Sequence, residues 1–224
     1  MTFSLKSEWP QWLVLASMWA LAIATWRTSP DRIPVHWNLA GEVDRWGGKF
    51  EGLLLMPIVA TVVYLLFLLL PLIDPRRRNY AEFAGTYAVL RFTILLVMAG
   101  IAGFIQLAVR DPRFDVGRAI GLLVGMLFVI LGVMMNRIRP NWFVGVRTPW
   151  WLSSERSWIR THRVARGVFT VLGVLVVITS LTRSAWAFWM VIIGLLVATF
   201  GLMIYSYLVW KNDPDKEALG GGAR

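Results

Sequence analysis

Apolar residues gather in six long runs, over residues 9–26, 52–73, 86–109, 117–135, 165–182 and 187–210. Polar segments rich in Pro, Arg and Asp separate them. Each run is close to the ~20 residues a helix needs to cross a bilayer. Inside lipid the backbone must satisfy its own hydrogen bonds, so such runs fold as helices. The expected fold is all-α, a polytopic membrane protein of about six transmembrane helices. The first run is longer than a signal-peptide core and carries Trp at both ends, so it reads as a span and not as a cleaved leader.

Two of the connections are long, about residues 27–51 and 136–164, and each follows the first helix of a set of three. Both hold Pro, an aromatic and Gly in similar order: Pro34-Val35-His36-Trp37 with Gly41, and Pro140-Asn141-Trp142-Phe143 with Gly145. Three helices per unit would turn the second unit over, the pattern of an inverted repeat. The expected organisation is a three-helix unit over 1–112, a second over 113–212 and a flexible polar tail over 213–224. In the fourth run Gly117, Gly121 and Gly125 recur every four residues, with Gly132 beyond. Small residues on one face let another helix approach closely, here for packing within the chain.

Composition agrees with a membrane protein. Of 224 residues 57% are hydrophobic and 16% charged, against about 25% charged in a soluble domain. Cysteine is absent and there are two histidines, His36 and His162, so neither disulfides nor a thiolate or histidine-rich metal site is expected. No cofactor is expected. The net charge of +10 fits basic loops beside anionic headgroups better than nucleic acid. On the six-span reading, 15 of the 23 Lys and Arg fall on the side holding both termini and the Trp142 loop. The positive-inside rule then places both termini in the cytoplasm and the His36 loop outside.

Two stretches carry candidate chemistry. Residues 139–150 pack two Pro, two Arg and three large aromatics between apolar runs. Rings are costly to leave in water, so they should lie in the headgroup layer or against the protein. After them, Ser153-Ser154-Glu155 suits a helix start. At ~100° per residue, Arg156, Arg160 and Arg163 share one face, opposite Trp151, Trp158 and His162. The first long loop holds Asp31, Glu42, Asp44 and Glu51 against Arg27, Arg32, Arg45 and Lys49. This suggests a salt-bridged cap with tight turns at Gly41 and Gly47-Gly48, in which His36 beside Asp44 is a candidate recognition or acid-base residue. The runs contain no confident Asp or Glu; Asp74, Glu82, Asp111 and Asp115 fall at ends. This weakens a proton-coupled pump. Arg91, Gln106, Thr93, Thr61 and Tyr64 are the polar residues expected inside the bundle. No nucleophile elbow, phosphate loop or metal spacing is present, so no reaction class can be argued.

Asn141-Trp142-Phe143-Val144-Gly145-Val146-Arg147-Thr148-Pro149-Trp150, followed by Ser153-Ser154-Glu155, Trp158 and Thr161-His162-Arg163, resembles the signature of the SdpI family of bacterial multi-pass membrane proteins. Ile33-Pro34-Val35-His36-Trp37-Asn38, Gly41, Asp44 and Lys49 resemble the domain of unknown function that often precedes it. The resemblance implies an inner-membrane immunity protein against a secreted toxin, able also to hold a cytoplasmic repressor at the membrane. On that reading His36, Trp37, Asn38, Asp44 and Lys49 face the toxin. Asn141, Trp142, Arg147, Thr148, Trp150, Glu155, Trp158 and His162 face the cytoplasmic partner. A small-molecule or lipid transporter, and a membrane enzyme using His36 or His162, are the alternatives.

Overall fold

The structure, a computed structural model, describes residues 5–38, 40–182 and 186–216. Arg183 and the Gly220–Gly222 run of the tail fall outside them. Among the described residues six α-helices make up most of the structure: α1 (Leu5–Thr25), α2 (Leu55–Ile73), α3 (Ala84–Arg110), α4 (Val116–Met135), α5 (Glu155–Leu181) and α6 (Trp186–Lys211). A hairpin of β1 (Ile33–Trp37) and β2 (Val43–Gly47) follows α1, and one π-helical turn, Phe50–Leu54, leads into α2. The fold is mostly helical, as the apolar runs require. Five of the helices, all but α1, include stretches long and apolar enough to cross a membrane. In α1 the apolar stretch is diluted by Glu8, Gln11 and three tryptophans. The lipid-facing sides of these helices account for the many exposed Leu, Ile and Val residues.

Both long connections are structured, by different means. The hairpin pairs Ile33 with Gly47 and Trp37 with Val43, with bulges around His36. Its tip turns at Gly41, whose φ of 80° suits glycine. Ile33 inserts among Ala22, Leu53 and Ile105, fastening the hairpin to one end of α1 and α3. At the opposite end of the bundle the 136–154 connection packs on the start of α3. Tyr80, Phe83, Tyr87 and Leu90 form one core there with Ile138, Val144, Trp151 and Trp158.

The glycine ridge of α4 faces α5. A Cβ at Gly121 would meet Ser180, at Gly125 the Gly173 carbonyl and Val177, and at Gly132 Thr170 and the Arg166 carbonyl. The small residues therefore bring two backbones of one chain together, and Gly117 takes no part.

Candidate functional site

The 139–150 stretch is a compact knot around Asn141, which is fully buried. Its Nδ2 donates to the Arg139 carbonyl (2.8 Å) and the Val144 carbonyl (2.9 Å). Its Oδ1 accepts from the Phe143 N–H (2.9 Å) and the Val144 N–H (2.6 Å). One amide side chain thus substitutes for regular structure in a loop that has none. The knot is tied to the bundle through Asp74, the residue that ends α2. The Asp74 carboxylate accepts from the Arg76 N–H (2.7 Å), the Tyr80 hydroxyl (3.0 Å) and the Trp142 N–H (2.9 Å). Burial, and then the hydrogen bond to Asp74, push the Tyr80 phenol pKa upward. Asn79 adds a bond from its Nδ2 to the Pro140 carbonyl (2.7 Å).

His162 closes the other side. It stacks on Trp158 with centroids 4.0 Å apart. Nδ1 lies 2.9 Å from the Trp158 carbonyl, to which it donates, so Nε2 is the acceptor for the Val146 N–H (3.2 Å). A ring with one donor and one acceptor fixed in this way is a neutral tautomer. Gly145, with φ of 109°, lies so close to His162 that a Cβ would collide with Nε2. Trp158 is 2% exposed, donates to the Ile138 carbonyl (2.9 Å) and meets Trp151 edge-on.

The knot also reaches α6. The Thr148 and Ser206 hydroxyls are 2.7 Å apart, and Ser157 donates to the Ser206 carbonyl (2.9 Å). Ser154 caps α5 by accepting from the Ser157 N–H (2.9 Å) and donates its own proton to Asp213. That hydrogen bond from Ser154 holds the Asp213 carboxyl below its ordinary pKa. Trp150 packs against Tyr207 and Trp210.

Of the residues expected at this face, Asn141, Thr148, Trp158 and His162 are buried and Trp150 is half-buried. Trp142, Arg147 and Glu155 are exposed. Trp142 meets Trp151 edge-on yet remains 43% exposed, and Arg147 donates to the Trp142 carbonyl (2.7 Å). The expected two-faced helix is present: Arg156, Arg160 and Arg163 point outward, and Trp158 and His162 inward. Trp151 belongs instead to the short 3₁₀ turn before it, Pro149–Ser153. Asp74, read from the sequence only as a carboxylate at the end of a run, completes the knot with Tyr80, Ser206 and Asp213, which the sequence did not single out. Asp74-Pro75 at the end of an apolar run and a lone Ser206 within one were the available signals.

At the hairpin end the four carboxylates are bonded within the loop. Asp44 meets His36 at 2.5 Å, Asp31 meets Lys49 at 3.3 Å, Glu51 meets Arg45 at 2.5 Å and Glu42 accepts from Asn38 at 3.1 Å. His36, Asn38 and Asp44 are exposed; Trp37 and Lys49 are half-buried.

Inside the bundle, one expectation needs correction. Glu8 enters the interior from α1 as a buried acid, bound by Arg91 through Nη1 (3.0 Å) and Nη2 (2.6 Å). Tyr64 donates to the same carboxylate (3.0 Å) and accepts from Trp12 Nε1 (2.9 Å). Glu8 precedes the apolar run, and its partner lies 83 positions away, so neither hydropathy nor local spacing marks it. The expected interior residues Arg91, Gln106, Thr93 and Tyr64 are buried, and Thr61 accepts from Trp19 Nε1 (3.1 Å).

Residues 137–206 match the SdpI/YfhL protein family, and residues 13–61 match DUF1648, a domain of unknown function. The chain is also 24% identical over 200 residues to the immunity protein SdpI of Bacillus subtilis (strain 168), across 89% of this chain and 94% of that protein. No solved structure matches it. The Asn141 knot, the α5 start and most of α6 thus fall in the SdpI/YfhL region, and the hairpin falls in the preceding domain. Both resemblances read from the residues are borne out, and with five helices long and apolar enough to span a bilayer the chain is a multi-pass membrane protein.

Proposed function

We propose that this SdpI-type chain is an inner-membrane immunity protein protecting its cell from a secreted, membrane-active peptide toxin. The observation that carries the reading is the similarity to an immunity protein along nearly the whole of both chains. The positive-inside rule supports placing both termini and the Asn141 knot in the cytoplasm, with the hairpin outside. On that topology the exposed His36, Asn38 and Asp44 meet the toxin. Trp142, Arg147 and Glu155 are offered to a cytoplasmic partner such as a repressor. A three-plus-three division near residue 112 accompanies this reading. The bonding of Glu8 to Arg91 and of Gln106 to Thr25 (3.2 Å) supports a packed bundle over a transport path.

The test is survival of a susceptible bacterium, with and without the gene, across a panel of secreted membrane-active peptides. Protection against at least one peptide is expected. Arg147→Ala and Arg147→Lys should leave membrane abundance normal, and both should reduce protection if a partner on the cytoplasmic face takes part in it, because a planar guanidinium and an ammonium are not interchangeable in recognition. Equal survival with and without the gene against every peptide would reject the proposal.

A further inference from the structure

Arg156, Arg160 and Arg163 form an exposed basic stripe along the first turns of α5, with the exposed apolar Ile159 beside it. Among the described residues Arg160 and Arg163 make no ion pair or hydrogen bond. Like charges three and four apart on a helix repel. The stripe borders a cleft of about 130 Å³ that Arg163, Ile159 and His162 share with Asn136, Arg139 and Pro140. Arg139 is already paired with Glu82 at 3.2 Å. Glu155 lines the same surface but, among the described residues, forms no ion pair with Arg160 or Arg163, so the repulsion between the arginines stays in the helix.

The same helical face continues into the membrane. Stepping by four and three residues from Arg156, Arg160 and Arg163 leads to Gly167, Val171, Val174 and Ile178, all exposed. Val171, Val174 and Ile178 are large apolar residues left uncovered by the rest of the chain. A Cβ at Gly167 would meet nothing within 4 Å, so the stripe has a notch between its charged and apolar parts. A face that is cationic at the headgroup level, notched below and apolar beyond matches one kind of molecule. We infer that this face of α5 binds an anionic glycerophospholipid, its phosphate on Arg160 and Arg163 and an acyl chain along Gly167–Ile178. The site requires only that α5 crosses the bilayer and holds on either topology.

The experiment uses the full chain purified in phospholipid-free detergent, with thermal unfolding followed as phosphatidylglycerol, phosphatidylcholine or inorganic phosphate is added. Phosphatidylglycerol should raise the melting temperature, with little effect from the other two. The double variant Arg160→Gln/Arg163→Gln should weaken that response roughly tenfold or more in lipid concentration, since charge-assisted contacts to phosphate are lost. Gly167→Leu should melt like the native chain without lipid and lose the response to phosphatidylglycerol, because it fills the notch and leaves every arginine in place. An equal shift from phosphatidylcholine would overturn the inference. So would an equal shift from inorganic phosphate, which would mean a free-anion site, or full response in both variants.

Discussion

Replacing Asn141 tests whether the 139–150 stretch is a buried folding device. Asn141→Ala removes four hydrogen bonds of 2.6–2.9 Å. Each is worth ~0.5–1.5 kcal/mol net, and a buried group left unpaired costs ~1–3 kcal/mol. Val144 is itself buried, so its N–H and carbonyl lose their partner where water enters poorly. The loss should be about 3–5 kcal/mol. In a chain of this size that lowers the melting temperature by on the order of 10 °C. Asn141→Asp keeps the shape and the two accepted bonds, but at neutral pH it sets a carboxylate oxygen against two carbonyls. It should therefore be at least as damaging as alanine. Protonated aspartic acid can donate to one of those carbonyls, so folding raises the pKa of the introduced carboxyl. The folded state then holds the proton more tightly than the unfolded state, and stability of the Asp variant relative to the Ala variant rises as pH falls. Thermal unfolding of the three proteins in detergent across acid and neutral pH measures this. An Asn141→Asp protein melting within a degree or two of the native chain at neutral pH would refute the reasoning.

Other perturbations separate the parts of the molecule. Glu8→Leu alone should cost ~3–5 kcal/mol by leaving Arg91 charged and buried, whereas Glu8→Leu with Arg91→Met should recover much of it; thermal unfolding of the single and double variants decides, and no recovery would contradict the pairing. Trp158→Ala should cost ~3–5 kcal/mol and Trp142→Ala clearly less, because the Trp142 ring is half in solvent; equal losses of membrane abundance would go against that ordering. For topology, a cysteine at His36 should react with an impermeant reagent in intact cells and one at Glu155 should not. Glu155 is the better inner probe because Ser154 is buried and caps α5; the reverse pattern would invert the proposed orientation.

Elements marked by long periodic signals were legible in the sequence. The apolar runs became helices, the α4 glycines met α5, and Ser154 capped α5 as Ser-Ser-Glu suggested. The charge-rich first loop closed on itself as its balance of Asp, Glu, Lys and Arg implied. What escaped depends on partners distant in sequence. Nothing local in Glu8 announces Arg91. Nothing near Asp74 shows that its carboxylate will receive the Trp142 N–H, 68 positions on. The rings in and after the aromatic-rich stretch divide between the two places expected for them: Trp151 and Trp158 lie against the protein, and Trp142 is left at the surface, where a headgroup layer can cover it.

The knot adds polar ties between elements that otherwise meet through apolar packing. Asp74 binds it to the end of α2, Tyr80 to the approach to α3, His162 to α5, and Thr148 through Ser206 to α6. Between apolar helices in lipid there is little hydrophobic driving force, so specific polar bonds and close packing must set their arrangement. Asn141 and His162 accordingly face inward, with Gly145 leaving room for the His162 ring, and their loss should damage the whole end of the bundle. Trp142 and Arg147 face outward, and the inner residues fix where they point. Arg147 makes one bond to a backbone carbonyl, which a lysine ammonium can also make. If Arg147 only braces the loop, Arg147→Lys should therefore preserve both abundance and protection. If its remaining guanidinium donors grip a partner, abundance should survive and protection should fail.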